Sequence, residues 1–295
     1  MNKPLVTIIT PAYNCEKYIA QTIDSVLDQD YEEIEYIVLD DGSTDCILDI
    51  LAGYEFGDTR FKAFWHLNMG EQRTVNKALA MVNGKYFMIV NSDDPLLPGV
   101  VSKLVNFMEQ NPHIVCAYPD WESINEDSSH RAFIKSRDYD FKYMVKHHTC
   151  LPSVGSMIRS SVLKTVKRDE SYRWLGDFVF WFKVGLAGPM AHFPEILASW
   201  RHRDGQASGD KSDARAQEHI RIMREFYSRS DIPPEILKVK REAICWSYIV
   251  ATAVTDSKFK MLCYIAKGFL SHPLIMFSIE FWDALIRRAY YILRR

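Results

Sequence analysis

Three short apolar runs, residues 6–10, 34–39 and 86–90, each end in turn or acidic residues and are followed by apolar positions at helical spacing. Continuous β-branched and aromatic runs of this length suit strands buried on both faces, as in a parallel sheet covered by helices. The segments between supply the helices. Ile19, Ile23, Val26 and Leu27 share one helical face; Ile47, Leu48 and Leu51 share another; Val75, Leu79 and Val82 a third, ended by Asn83-Gly84. Asn14 is placed to cap the first helix, Ser43-Thr44-Asp45 the second. Pro98 stands where a helix takes a first-turn proline, ahead of Val101, Leu104, Val105 and Met108. Strands over 61–66 and 114–118 complete the alternation, with Pro11 expected to stop the first strand. The fold class this predicts is α/β: an open, mostly parallel (mixed) sheet sandwiched by helices.

Beyond residue 118 the pattern is less regular. Strands are expected over 154–158 and 194–200, and a helix behind Asp177 bearing Phe178, Trp181, Phe182 and Gly185. Residues 203–217 are polar and hold Gly205, Ser208 and Gly209, which predicts a mobile loop or linker. The chain then turns helical: Ala216, Ile220, Met223 and Tyr227 share a face, Pro233-Pro234 opens a helix to about 254, and Phe259, Leu262, Cys263 and Ala266 mark another. The expected division is a first domain over 1–207, regular to 118 and less regular over 119–207, followed by a helical extension over 208–295.

Two acidic patches stand at strand ends. Asp40-Asp41-Gly42-Ser43-Thr44-Asp45 follows the second apolar run, and Asn91-Ser92-Asp93-Asp94 follows the third. Open parallel sheets build their sites at the carboxyl ends of strands. Adjacent carboxylates repel, so they make most sense beside a cation, and a hard cation carrying a diphosphate is the leading reading. Each patch also reads as a plain turn and helix cap.

Composition excludes several other classes. A 295-residue chain at 47% hydrophobic and 25% charged, with formal net charge −2, is globular and has no basic field for nucleic acid. Its six cysteines (Cys15, Cys46, Cys116, Cys150, Cys245, Cys263) form no CxxC pair, which argues against zinc and for free thiols in a reducing cytosol. No signal peptide is expected, since the start runs directly into a strand pattern, and no apolar stretch reaches the roughly 18 residues of a spanning helix. The first strand–helix turn lacks GxGxxG, and no GxxxxGK precedes Ser or Thr, so nicotinamide and phosphate-loop chemistries are set aside.

Six segments in order resemble the inverting family 2 glycosyltransferases: residues 6–14, Asp40 to Asp45, Asn68-Met69-Gly70 with Asn76, Asn91 to Asp94, Trp174-Leu175-Gly176-Asp177 with Phe180-Trp181, and residues 194–201. The resemblance covers roughly residues 4–207 and implies a nucleotide-diphospho-sugar transferase (GT-A type) fold and metal-dependent transfer from a nucleotide-diphosphate sugar, most commonly a UDP-sugar, to a hydroxyl of a glycan or lipid-linked acceptor. Surface polysaccharide biosynthesis is the expected setting, and the resemblance makes 1–207 the catalytic domain, with residues 1–118 expected to bind the nucleotide and residues 119–207 the acceptor. It implies that Asp93 and Asp94 hold Mn²⁺ or Mg²⁺ and that Asp177 is the catalytic base. Pro11, Tyr13, Asn14, Asp41, Arg73, Asn91, Ser92 and Arg201 are implied donor contacts, Asp41 toward the base and Arg73 toward base or diphosphate. Two positions depart from the family's pattern. Asn91 stands where many relatives carry the first aspartate of the metal motif. Arg203 stands about where many carry histidine; either His202 replaces that histidine after a one-residue shift, or Arg203 grips phosphate itself. The other reading of the chain is a nucleotide-sugar-binding scaffold without catalysis.

From Ser257 onward seven basic residues face two acidic ones, interleaved with aromatics. Ile275, Ile279, Trp282, Ile286 and Tyr290 make an apolar stripe flanked by arginines. Such a face suits an anionic bilayer surface, with packing on the transferase domain or a homodimer as the alternative. A cytoplasmic protein, peripheral on the membrane's cytoplasmic face, is the expectation. The adjacent His147 and His148 are expected on the acceptor side or the surface.

Overall fold

The computed structural model describes residues 3–206, 209–277 and 282. Strand and helix alternate through the first half: β1 (Val6–Ala12), α1 (Glu16–Leu27), β2 (Ile34–Asp40), α2 (Ile47–Gly57), β3 (Phe61–Trp65), α3 (Glu71–Leu79), β4 (Tyr86–Ile89), α4 (Val100–Gln110) and β5 (Cys116–Ile124). There follow β6 (His130–Ile134), α5 (Phe141–Lys146), β7 (Met157–Arg159), α6 (Gly176–Ala187) and β8 (Met190–Arg201). Among the described residues eight strands form one sheet, in the order β3-β2-β1-β4-β7-β5-β6, with β8 on β5. β1 runs parallel to β2 and β4, β2 to β3, and β5 to β8; β7 is antiparallel between β4 and β5, and β6 antiparallel to β5. The sheet is therefore mixed and mostly parallel.

The apolar runs are buried because helices cover both faces. Val6, Ile8, Tyr36, Val38 and Met88 pack with Ile19, Ile23 and Val26 of α1, Leu51 of α2 and Leu104 of α4. Ile9 and Ile37, of opposite parity, point to the other face, where α3 packs on β1 and β2.

Several local expectations change. Pro11 does not stop β1 but lies inside it, opposite Leu39 of β2. The ladder to β4 ends at Ile9, so past that point β1 is paired on one side only and a missing N–H is tolerated. Asn14 does not cap α1. It adopts a left-handed φ of 47° and its Oδ1 accepts from the Thr44 amide at 2.8 Å, while the Asn14 amide donates to Ser43 Oγ at 2.8 Å. The two helix starts are cross-linked instead: the Glu16 amide donates to Asp45 and the Cys46 amide to Glu16, at 2.9 and 2.8 Å. α4 begins at Val100 behind Gly99, so Pro98 precedes the helix rather than opening it. The β5–β6 hairpin has no counterpart in the sequence pattern; its β6 residues alternate exposed and half-buried at the sheet edge and leave little apolar signal.

Contacts divide the chain into two compact units. The first comprises 1–139, 151–171 and 176–204; the second comprises 140–150, 172–175 and 205–295. The second unit thus takes two segments from inside the expected catalytic domain. It is built on α7 (Asp213–Phe226), α8 (Pro234–Leu237), α9 (Lys240–Val254) and α10 (Lys258–Ser271). α7 starts within the stretch expected to be a loop, because Ser212 caps it by accepting from the Arg215 amide. The helix expected from Pro234 to 254 is broken between α8 and α9.

Two buried polar links tie the borrowed segments to α7. The Glu218 carboxylate accepts from the amides of Arg173, Trp174 and Leu175 at 2.7, 3.0 and 3.1 Å. His148 is buried, not on the surface, with Nε2 2.9 Å from Nδ1 of His219, and burial holds its pKa well below the usual histidine value. Of the expected membrane stripe, Ile275 is buried and Trp282 exposed. Ile279, Ile286 and Tyr290 lie outside the described residues. No helix among the described residues is long and apolar enough to cross a membrane.

Candidate active site

All the strand-end residues singled out by sequence lie in the first unit, at the carboxyl ends of β1, β2 and β4. At the end of β1, Pro11 is half-buried and the Tyr13 ring is 50% exposed, available for stacking. At the end of β2, Asp40 is fully buried and accepts from the Ser43 amide and hydroxyl, which closes the turn. Asp41 is buried as well. Its Oδ1 accepts from the Met69 amide at 2.7 Å and its Oδ2 from the Gly70 amide at 3.0 Å, with His66 Nδ1 3.5 Å away. Asp41 therefore binds the start of α3 to the end of β2 and joins two of the sequence segments.

α3 places three further groups. Arg73 pairs with Glu170 at 3.3 Å on an exposed face. Asn76 clamps the backbone of Arg168 from both sides: Oδ1 accepts from its amide at 2.9 Å and Nδ2 donates to its carbonyl at 3.1 Å. Glu71 opens the helix and lies within electrostatic reach of Arg168, Asp177 and Asp93. Protein packed around the Glu71 carboxyl pushes its pKa up, opposed by Arg168 and reinforced by Asp177 and Asp93, although solvent reaches the residue.

At the end of β4 the two neighbouring carboxylates face different ways. Asp94 turns inward: Oδ1 accepts from the Arg201 amide and Oδ2 from Asn91 Nδ2, both at 2.8 Å. Burial, reinforced by the charge of Asp93, raises its pKa. Ser92 is buried, with its carbonyl accepting from Thr22 Oγ1 at 3.1 Å. Asp93 turns toward the end of β8, where Arg203 Nε donates to its Oδ2 at 2.5 Å. Burial opposes the Arg203 charge, but the Asp93 carboxylate outweighs it and holds the guanidinium charged more firmly than usual. These groups meet because β8 is stitched to the 91–95 turn: the Ser199 amide donates to Pro95 O and the Leu97 amide to Leu197 O.

Arg201 is 1% exposed. Its guanidinium donates to the carbonyls of Asp93, Asn125 and Glu126, to Ser128 Oγ and to Gln21 Oε1, and so pins the β5–β6 turn to the end of β4. His202 packs its ring on Trp200, 4.2 Å between centroids, so Arg203 and not His202 is the side chain at Asp93.

A divalent ion at this place would find one carboxylate facing it, Asp93, with Arg203 already bound. Asp93 suits an ion that takes most of its ligands from phosphate and water; Asp94, turned inward, does not. Among the described residues no three His, Cys, Asp or Glu side chains converge as a metal-holding group.

Asp177 is the first acid of α6, exposed, its Oδ1 accepting from the Phe178 amide at 2.7 Å. Gly176 before it is buried against the amide of Gln72: a Cβ there would lie 2.1 Å from Gln72 Oε1. Gln72, Glu71 and Arg168 carry no sequence signal of their own, since each reads as an ordinary polar residue near a helix start or in a loop. The single glycine before Asp177 is the one local hint that something packs closely there.

The family described as Glycosyl transferase family 2 matches residues 7–166. An uncharacterized glycosyltransferase of Haemophilus influenzae is 31% identical over 237 residues, 76% of this chain and 73% of its own length. The chondroitin synthase of Escherichia coli is 27% identical over 234 residues, 78% of this chain but 33% of that longer protein. Among solved structures, S. aureus TarS 1–349 in complex with UDP-GlcNAc aligns with a TM-score of 0.66 at 18% identity, covering 94% of this chain and 91% of that one. The mannosyltransferase PcManGT of Pyrobaculum calidifontis, in complex with GDP-Man and Mn²⁺, aligns at 0.60 and 17%, covering 99% and 88%. The solved structures share the fold, the family match covers more than half of the residues, and the chain belongs to glycosyl transferase family 2.

Proposed function

We propose that the protein transfers a sugar, with inversion, from a nucleotide-diphosphate donor to a hydroxyl of a glycan or lipid-linked acceptor. The observation that carries this reading is that α3, held to the end of β2 by Asp41, packs through Gln72 against Gly176, so that one helix joins a strand-end acid to the exposed Asp177 in one unit. In the step itself Asp177 takes the acceptor O–H proton, the freed oxygen bonds to the anomeric carbon, and the bond from that carbon to the diphosphate oxygen breaks. Attack opposite the leaving group inverts the centre, and no covalent enzyme intermediate is required. Tyr13 and Asp41 border the base, and Asp93 is the residue that would hold Mn²⁺ or Mg²⁺, which supplies charge neutralisation to the diphosphate when bound.

A UDP-sugar is the first donor to test, given the UDP-GlcNAc complex of the TarS neighbour. Polysaccharide assembly is favoured by the likeness to a chondroitin synthase. Phe259, Leu262, Leu270 and Leu274 are exposed on and just after α10, beside Lys258 and Lys267, which supports a peripheral seat on an anionic membrane.

A thermal-shift panel of UDP-, GDP- and dTDP-sugars tests the donor. One true donor at about 100 times its Kd should stabilise the protein by about 2.7 kcal/mol. No shift with any of them, and no nucleoside diphosphate released on incubation, would end the enzymatic reading and the scaffold reading together; a shift without release would favour the scaffold.

Gly176 offers a finer check. Gly176→Ala must push the enclosed Gln72 amide aside and displace the start of α6. A shift of about 1 Å at a catalytic group costs up to about 10²-fold, so donor turnover should fall by roughly 10- to 100-fold with KM little changed. Gln72→Ala in the same chain should restore most of it; wild-type turnover in Gly176→Ala alone would show that this contact does not place Asp177.

A further inference from the structure

Arg203 reaches Asp93 through Nε alone. Among the described residues Nη1 and Nη2 donate to no protein acceptor, and the side chain is 30% exposed. The guanidinium stands 5.8 Å from the Tyr18 ring, which walls one side. It also lines an open cavity of about 590 Å³ with Asn125, Glu126, Asp127, Arg131, His202 and Asp204, where it and Arg131 are the two cations among three acids. Nε–carboxylate pairing fixes the plane of the fork and leaves its outer edge directed away from Asp93.

The two departures noted in the sequence meet here. Asn91 brings no charge and is occupied in holding Asp94. Asp94 faces inward, and Asp93, itself buried, is paired with Arg203. A site of this charge repels a divalent ion less than a cation cluster would but attracts it far less than paired free carboxylates, while it offers an oxyanion a forked donor in place.

We propose that Arg203 is the resident cation of the donor site: anchored by Asp93, it receives the diphosphate of the nucleotide on its free edge, so that nucleoside diphosphate binding persists without a divalent ion. The proposal rests on the transferase reading above and goes beyond it by assigning to a side chain the charge compensation the family resemblance assigns to Mn²⁺ or Mg²⁺. During transfer the same edge meets the charge that accumulates on the departing diphosphate.

Titration calorimetry of UDP, GDP and dTDP against the full chain tests it, in EDTA and in excess MnCl₂. For the best-binding nucleotide, the wild-type Kd in EDTA should lie within about tenfold of that in Mn²⁺. Arg203→Ala should weaken binding in EDTA by roughly 10- to 100-fold, the worth of charge-assisted hydrogen bonds, and leave binding strongly Mn²⁺-dependent, since Asp93 is then free to take the ion. Arg203→Lys, which keeps the charge but loses the fork, should fall between, and decides the matter if the alanine variant does not fold. Wild-type binding that vanishes in EDTA, or variants that bind in EDTA within threefold of wild type, would overturn the proposal while leaving the transferase reading standing. Absence of nucleotide binding under every condition would overturn both.

Discussion

Asp177→Asn is expected to lower donor turnover by about 10²- to 10⁴-fold, the usual worth of a positioned general base, with donor affinity nearly unchanged. The substitution keeps the shape and the hydrogen bond that the side chain accepts from the Phe178 amide, so α6 should start where it does now. What is lost is the ability to accept the proton of the incoming hydroxyl. The residue is exposed and at the beginning of a helix, so little folding energy depends on it. A matched pair of measurements isolates the effect: nucleotide Kd by calorimetry, and single-turnover product formation. Turnover within threefold of wild type would remove Asp177 from the mechanism, and Glu71, an exposed carboxyl within electrostatic reach of Asp177, would be the next residue to substitute.

Gly42→Ala is the second large effect, and it acts on folding and site together. Gly42 has φ of +71°, where a side chain costs about 1–2 kcal/mol. A Cβ would also stand 2.6 Å from the Asn68 amide nitrogen and 3.1 Å from the His66 carbonyl oxygen. Those are backbone atoms in the strand-to-helix connection that Asp41 holds through Met69 and Gly70, so they cannot swing away as a side-chain tip would. The overlap adds about 1–3 kcal/mol, for a total of about 2–4 kcal/mol. Donor affinity should fall as well, because Asp41 and the start of α3 are pushed apart. Urea unfolding of the variant gives the first number and nucleotide titration the second. A midpoint equal to wild type would show that the loop after β3 is free to yield, and that Asp41 is not what fixes it.

The strand–helix alternation is legible because a parallel strand buried on both faces leaves an apolar run that few other structures produce. Ile8, Ile37 and Met88 fall in such runs and are buried without exception. Edge elements are not legible: β6 pairs on one side at the rim of the sheet, so His130 to Ile134 carry no continuous apolar signal. Caps mislead for a related reason. Asn14 and Ser43 have the right chemistry for capping their own helices, but the two loops lie side by side and satisfy each other.

The residue types of the candidate site can be picked out along the chain, since acids after a buried strand are unusual enough to notice. Their directions cannot. Asp93 and Asp94 are neighbours with the same chemistry and both are buried, yet they take different partners, because β8 passes beside them and offers the Arg201 amide to Asp94 while Arg203, just past the strand's end, reaches Asp93. Arg201 and Arg203 look interchangeable in Arg201-His202-Arg203. The first is the last residue of β8 and is buried as a pin, while the second lies beyond the strand, where alternation no longer dictates its direction, and is 30% exposed.

From its order of residues alone this chain was bound to build a mostly parallel sheet with carboxylates at the strand ends, because hydrophobic periodicity and turn chemistry are local properties of the polymer. Which carboxylate takes an arginine side chain, which takes a backbone amide, and which helix the start of α6 meets were decided only by contacts between segments roughly a hundred residues apart, since partners at that separation leave no mark in local pattern.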